Sequence, residues 1–264
     1  MKIDLNKGIF MASKINAAET IVEISHFGMD FSGKTVIKDL SFDVKRGEVF
    51  GFLGSNGSGK TTTIRALLGI YQPTSGSLTV NGVPFKVSSG IKLGYLPEER
   101  GLYKKESVID VMVYFGQLKG MTKNESTRQA LAYLERVKLS DKADVKVDKL
   151  SGGQQQKIQL GITIMDNPEL LILDEPTKGF DPVNRRLLMD IIEEHQRAGA
   201  TVIFVTHQME EVERLCDRII LLKDGVARAY GTVAAVKAEF GGASLDDIFV
   251  KVYGDENETA GGDN

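Results

Sequence analysis

Lys60 closes a glycine-rich run, GSNGSGKT from Gly54 to Thr61, and these residue types at this spacing are suited to holding a phosphate. Glycines at 54, 57 and 59 let the backbone curl so that successive N–H groups point inward at an anion, which bulkier residues would hinder. The helix expected to follow, with Ile64, Leu67 and Leu68 on one face, adds unpaired first-turn donors and the positive end of its dipole. Lys60 can then reach the β- and γ-phosphates as a point charge, and the Thr61 hydroxyl is placed to ligate Mg²⁺ in the pattern G-x-x-x-x-G-K-[ST]. Ser55, Asn56, Gly57, Ser58, Gly59, Lys60, Thr61 and Thr62 are the candidate nucleotide cradle.

A second constellation lies in LLILDE, from Leu170 to Glu175, an apolar strand ending in two carboxylates. In an open α/β sheet, ligands sit beyond the carboxyl ends of the strands, so Asp174 and Glu175 are carried toward the edge that holds the glycine loop. Asp174 would join Thr61 in holding Mg²⁺ through oxygen ligands. Glu175 would orient or deprotonate an attacking water. Adjacent acids at a strand end are also a common solvated pair, and it is the cradle upstream that favours the functional reading. LSGGQ, at 150 to 154, stands just before a helical segment, where Ser151 could serve as an ordinary N-cap. The same free N–H groups, hydroxyl and dipole end make a second anion site. His207 follows the strand TVIFVT, and a histidine in such a place is more often structural when nothing accompanies it.

The elements that must position these residues alternate. TIVEISHF, TVIKDLSFDV and the run Glu48 to Leu53 read as strands, as do Gly76 to Val80 before an Asn81-Gly82 turn and Lys92 to Leu96 before Pro97. A helix-rich stretch runs from about Ser107 to Met165, with Val108, Val111, Met112 and Phe115 on one face. Strands resume at 170–173, 201–206 and 218–223, separated by helices over Val183 to Arg197 and Met209 to Leu215. Strand and helix in alternation predict an α/β fold with a mainly parallel sheet and a helical insert.

At 264 residues the chain can bury a sizeable core. Its formal charge of −3 argues against a dedicated nucleic-acid binder, which would carry a basic stripe. A lone cysteine, Cys216, excludes an internal disulfide and fits a reducing compartment. No apolar run reaches the roughly 18 residues needed to cross a bilayer, and the opening segment lacks the apolar core of a signal peptide. We expect residues 1–19 to form a disordered extension, 20–240 the main domain with a helical subdomain over about 98–165, and 241–264 a short C-terminal element with an acidic, disordered tail.

GSNGSGKT, LSGGQ, LLILDEP, a Gly-Phe-Asp-Pro turn at 179–182 and His207 at a strand end, in this order, resemble the ATP-binding subunit of ABC transporters over about Thr20 to Phe240. The resemblance implies a P-loop NTPase core with a mainly parallel sheet, an antiparallel β subdomain and a helical insert. It implies an ATPase whose cofactors are ATP and Mg²⁺. In that family two ATPase domains face head to tail, each ATP being held between the phosphate loop of one and the signature loop of the other.

Carried onto this chain, Ser151, Gly152, Gly153 and Gln154 match the signature loop, Asp174 the magnesium carboxylate, Glu175 the catalytic one, Asp181 the turn that links the two sites and His207 the switch histidine. Lys60, Glu175 and His207 are the catalytic set. Phe31, with Phe27 as second choice, would stack on adenine where the family usually has Tyr. Glu98 stands where the family usually offers a Gln to the metal, adding negative charge near the phosphates. GYLPEERGLY, FDPVNRRLL and MEEVERLCDRI look like the ATPase partners of ABC-2 type exporters, the branch with sodium-extrusion and drug-efflux systems. A second ATPase subunit as a homodimer, a separate polytopic permease, and a cytoplasmic position on the inner face of the membrane follow as expectations. The alternative is an ABC-type ATPase that does not transport. Its repair and translation members carry long coiled-coil inserts or two cassettes, and this chain has neither.

Overall fold

The computed structural model describes residues 20–86, 90–99 and 101–254. The expected N-terminal extension, Arg100 and the acidic tail lie outside the described residues.

The apolar runs that read as buried strands form the centre of a six-stranded sheet. β3 (Val49–Leu53), β6 (Leu170–Asp174) and β7 (Thr201–Thr206) are buried at every position, as expected of parallel strands covered on both faces. They lie in the order β5-β6-β7-β3-β8-β9, with β5 (Leu93–Leu96) at one edge and β8 (Arg218–Lys223) beyond β3. All neighbours run parallel except β9 (Val226–Thr232), which turns back antiparallel on β8. A separate antiparallel sheet, in the order β2-β1-β4, is built from β1 (Thr20–Phe31), β2 (Lys34–Lys45) and β4 (Ser75–Val80).

Phe27, Phe42, Phe50 and Phe52 fill the layer between the two sheets, with Phe42 and Phe50 stacked at 5.3 Å. On the other face, α5 (Pro182–Arg197) and the insert pack on Leu171, Leu173, Val202 and Phe204. The insert comprises α2 (Val108–Leu118), α3 (Lys123–Arg136) and α4 (Gly152–Ile164), with two short 3₁₀ turns between α3 and α4. A third apolar cluster joins α6 (Met209–Leu215) to the C-terminal α8 (Leu245–Gly254), and α7 (Val233–Glu239) leads into it. No helix among the described residues is long and apolar enough to cross a membrane.

Candidate functional site

Strand register assembles the site. Leu53 lies opposite Thr206, Asp174 opposite Val205 and Leu96 opposite Leu173. The residues just past these strand ends, Gly54, Glu175, His207 and Glu98, therefore leave the sheet along one edge. Glu98, Asp174 and Glu175 join the loop residues Asn56, Gly57, Gly59, Lys60, Thr61 and Thr62 around a cavity of about 360 Å³, closed on one side by Val36 of β2, and His207 meets it through Glu175.

The loop between β3 and α1 (Lys60–Leu67) is built for close approach. Gly59 has φ 109°, and a Cβ on it would lie 2.3 Å from Ile37 Cδ1. A Cβ on Gly54 would lie 2.6 Å from the Leu222 carbonyl oxygen. No side chain caps the start of α1, so its first-turn N–H groups keep their anion-binding capacity. The Lys60 ammonium folds back onto the carbonyls of Gly54 at 2.7 Å and Ser55 at 3.0 Å. Burial holds its pKa below the usual lysine value, opposed by Glu175, Asp174 and Glu98.

The carboxylates are the electrostatic counterpart. Asp174 is buried, and burial, then Glu98 and Glu175, raise its pKa to about 6 against the pull of Lys60 and Arg65. Glu98 is held by Lys178 at 2.6 Å. Glu175 occupies the left-handed region at φ 49° and donates its N–H to the Val205 carbonyl at 2.8 Å. Such strain in a residue with a side chain persists only where the surroundings over-determine it, and it clusters at active sites. Its Oε1 lies 2.7 Å from His207 Nδ1, while its Oε2 is buried without a partner.

These features fit MgATP. Ser58 Oγ and Glu175 Oε2 are buried and unpaired, Lys60 is bound only to loop carbonyls, and Thr61 and Asp174 present oxygens to the same cavity. Among the described residues, three acids line the cavity beside one lysine, an excess of negative charge that a hard divalent cation offsets.

Other expected residues lie elsewhere. Ser151 caps α4, accepting from the Gln154 N–H at 3.3 Å while Gln154 Oε1 accepts the Ser151 N–H at 2.9 Å. Gly152 and Gly153 form the first turn of α4, and none of the four lines the cavity of its own chain. Asp181 caps α5, taking the N–H groups of Val183 and Asn184 at 2.9 Å each. Phe31 is 40% exposed at the end of β1, edge-on to Tyr71 at 5.2 Å. Phe27 is fully buried and has no face to offer a base, which removes it as the second choice.

Three further residues contribute. Val36 carries nothing in its sequence context that marks it as a cavity wall, and Lys178 gains its role only through its pairing with Glu98. Glu211, four residues after His207, is buried and takes the hydroxyls of Thr177 at 2.9 Å and Thr206 at 3.3 Å, with Arg185 at 3.4 Å. An acid on the inner face of the short helix MEEVERL was its one visible signal.

Comparison with known proteins agrees with this geometry. Residues 37–178 match the family described as ABC transporter. The chain is 46% identical to an uncharacterized ABC transporter ATP-binding protein of Methanocaldococcus jannaschii, covering 80% of this chain and 78% of that one. It is 37% identical to the linearmycin resistance ATP-binding protein LnrL of Bacillus subtilis, over 83% and 72% of the two chains. It is 35% identical to the Nod factor export ATP-binding protein I of Bradyrhizobium diazoefficiens, over 89% and 78%. Among solved structures, an ATP-binding subunit of an ABC transporter superposes with a TM-score of 0.81 at 29% identity, covering 88% of this chain and 99% of that one. The chain belongs to the ABC transporter family, as an ATP-binding subunit with the ATPase cassette fold.

Proposed function

We propose that this subunit hydrolyses MgATP at the Lys60–Asp174–Glu175 cavity and that a second copy completes the site, the pair driving export through a separate polytopic permease. The observation that carries the reading is the placement of Lys60, Thr61, Asp174 and Glu175 on one cavity, with His207 Nδ1 2.7 Å from Glu175. The Ser151–Gln154 turn lies outside that cavity, which suits a signature loop that closes on a partner's nucleotide. Export is favoured by the relatives named for linearmycin resistance and Nod factor export. Docking on a permease would place the subunit on the cytoplasmic face of the membrane.

Thr61 and Asp174 would hold Mg²⁺, with Glu98 as an outer ligand, and the bound ion supplies positive charge to the phosphate oxygens. The chain's own residues do the rest. The Gly57–Lys60 N–H groups and the Lys60 ammonium bind the β- and γ-phosphates, so Lys60 leaves the Gly54 and Ser55 carbonyls. Glu175 Oε2 orients the attacking water and takes its proton. With Glu175 ionised, His207 Nδ1–H donates to Oε1 and fixes the direction of the carboxylate. For Nε2 to donate to a phosphate oxygen as well, the ring must hold a second proton, placing a positive charge between carboxylate and phosphate. Phe31 offers its ring face to adenine.

The excess of acids has a pH consequence. A carboxylate whose pKa is raised keeps its proton further up the pH scale, so Asp174 of the free enzyme is neutral below about 6 and charged above it. kcat/KM for MgATP, which reports free-enzyme ionisations, is expected to fall as pH drops through that value. Glu98→Gln keeps an oxygen ligand but removes one of the charges raising Asp174, so this acid limb should move to lower pH. A limb that stays in place in Glu98→Gln would mean that Lys178 already neutralises Glu98 as far as Asp174 is concerned.

The permease is tested by purifying tagged Glu175→Gln chain from detergent-solubilised cells with MgATP. A stoichiometric polytopic membrane protein is the expected companion. Recovery with only ribosomes or other non-membrane proteins would overturn the transport assignment while leaving the nucleotide chemistry standing.

A further inference from the structure

The C-terminal helix reaches the phosphate loop. α8 docks through Leu245 and Ile248, each 2% exposed, against Met209, Val212 and Ile219. Its last turn carries Tyr253, half-buried and packed on Phe249 at 4.4 Å, with the Lys223 ammonium 5.8 Å from its ring centroid. The Tyr253 hydroxyl donates to the Leu222 carbonyl, and the Lys223 amine donates to the Val252 carbonyl at 2.8 Å, so helix and strand end are tied in both directions.

Leu222 is not a remote anchor. Its carbonyl oxygen abuts Gly54, 2.6 Å from where a Cβ on that glycine would stand, and its side chain lies 3.5 Å from the same point on Gly59. The turn that follows continues the contact. Gly225 donates its N–H to the Ser58 carbonyl at 3.2 Å and accepts the Lys38 N–H at 3.1 Å. With φ at +72° and Val36 O 2.2 Å from a built Cβ, Gly225 fits between the cavity wall and the phosphate loop as no other residue would. Burial pushes the Tyr253 pKa up to about 12 even though the Ser55 N–H favours its ionised form, so the hydroxyl keeps the proton it donates.

We propose that Tyr253 is a positioning residue for the nucleotide site. Its hydroxyl fixes the Leu222 carbonyl and, through the β8–β9 turn, the Gly54–Gly59 loop, so that α8 sets the affinity for nucleotide from outside the cavity. The proposal rests on the reading of that loop as the ATP cradle. A segment that docks on α8 or pulls it away would then act on nucleotide binding without touching any residue of the cavity.

Tyr253→Phe keeps the ring and removes only the hydroxyl. Calorimetric titration of the full chain with MgATP is expected to give a dissociation constant about 3- to 10-fold larger than wild type, the scale of one neutral hydrogen bond. kcat at saturating ATP should be unchanged, and the nucleotide-free melting temperature should fall by only the few degrees that one lost hydrogen bond costs. Val250→Ala, on the 67% exposed side of the same helix, should match wild type in all three. An unchanged dissociation constant in Tyr253→Phe would overturn the proposal, as would parallel losses of affinity, kcat and melting temperature, which mark a merely structural role. A wild-type chain that binds no MgATP would refute the cradle itself, and the proposal with it.

Discussion

Glu175→Gln is expected to lower ATP turnover by about 10²- to 10⁴-fold, the range lost with a general base, while leaving ATP affinity near wild type. The geometry makes this substitution clean. Glu175 touches His207 through Oε1, and a Gln oxygen in that place still accepts the Nδ1 hydrogen. The strained backbone at φ 49° is met equally by either side chain. What is lost is the basicity of Oε2, the buried oxygen with no partner of its own. Single-turnover hydrolysis beside a direct binding titration separates the two effects. Turnover within a few-fold of wild type would remove Glu175 from the proton transfer.

Lys60→Ala should act on the other axis. Lys60 is the cation among the described cavity-lining residues, and it sits between carbonyls and three acids, so its removal strips charge-assisted contacts from the phosphates and leaves the carboxylates less compensated. At roughly 1.5–3 kcal/mol for a hydrogen bond to a charged group, the loss in ATP affinity should be on the order of 10²-fold. Asp174, which Lys60 pulls toward lower pKa, should titrate still higher in this variant. Unaltered ATP affinity would contradict the cradle as described.

The parts of the fold that were legible in the sequence were those with a clear hydrophobic pattern, uniform in β3, β6 and β7 and amphipathic in α5. LLIL and TVIFVT are apolar on both faces and could only be covered strands, and both became the centre of the sheet. β9 escaped notice because VARAYGT is an edge strand with scattered burial and no repeating pattern. The short C-terminal element expected within 241–264 is the helix α8, visible in the spacing of Leu245 and Ile248, but its docking partner is set by tertiary structure. The cradle was readable because its requirement is a backbone one, and glycine records backbone requirements directly. Val36, Lys178 and Tyr253 were not readable, since Val36 comes from another sheet, Lys178 meets Glu98 across 80 positions and Tyr253 meets Leu222 across 31. Phe27 and Phe31 show the same limit: equal as rings in the sequence, they were separated by burial alone.

In the proposed function one chain carries half of each ATP site, and the Ser151–Gln154 turn of a second copy completes it. The most direct measurement is the mass of purified Glu175→Gln chain by light scattering, without nucleotide and with saturating MgATP. The expected result is a monomer that becomes a dimer with MgATP, and that returns to monomer when Ser151→Phe is added in the same background, which blocks the signature turn without altering the Lys60 cavity. A chain that binds MgATP at full occupancy and remains monomeric would contradict it.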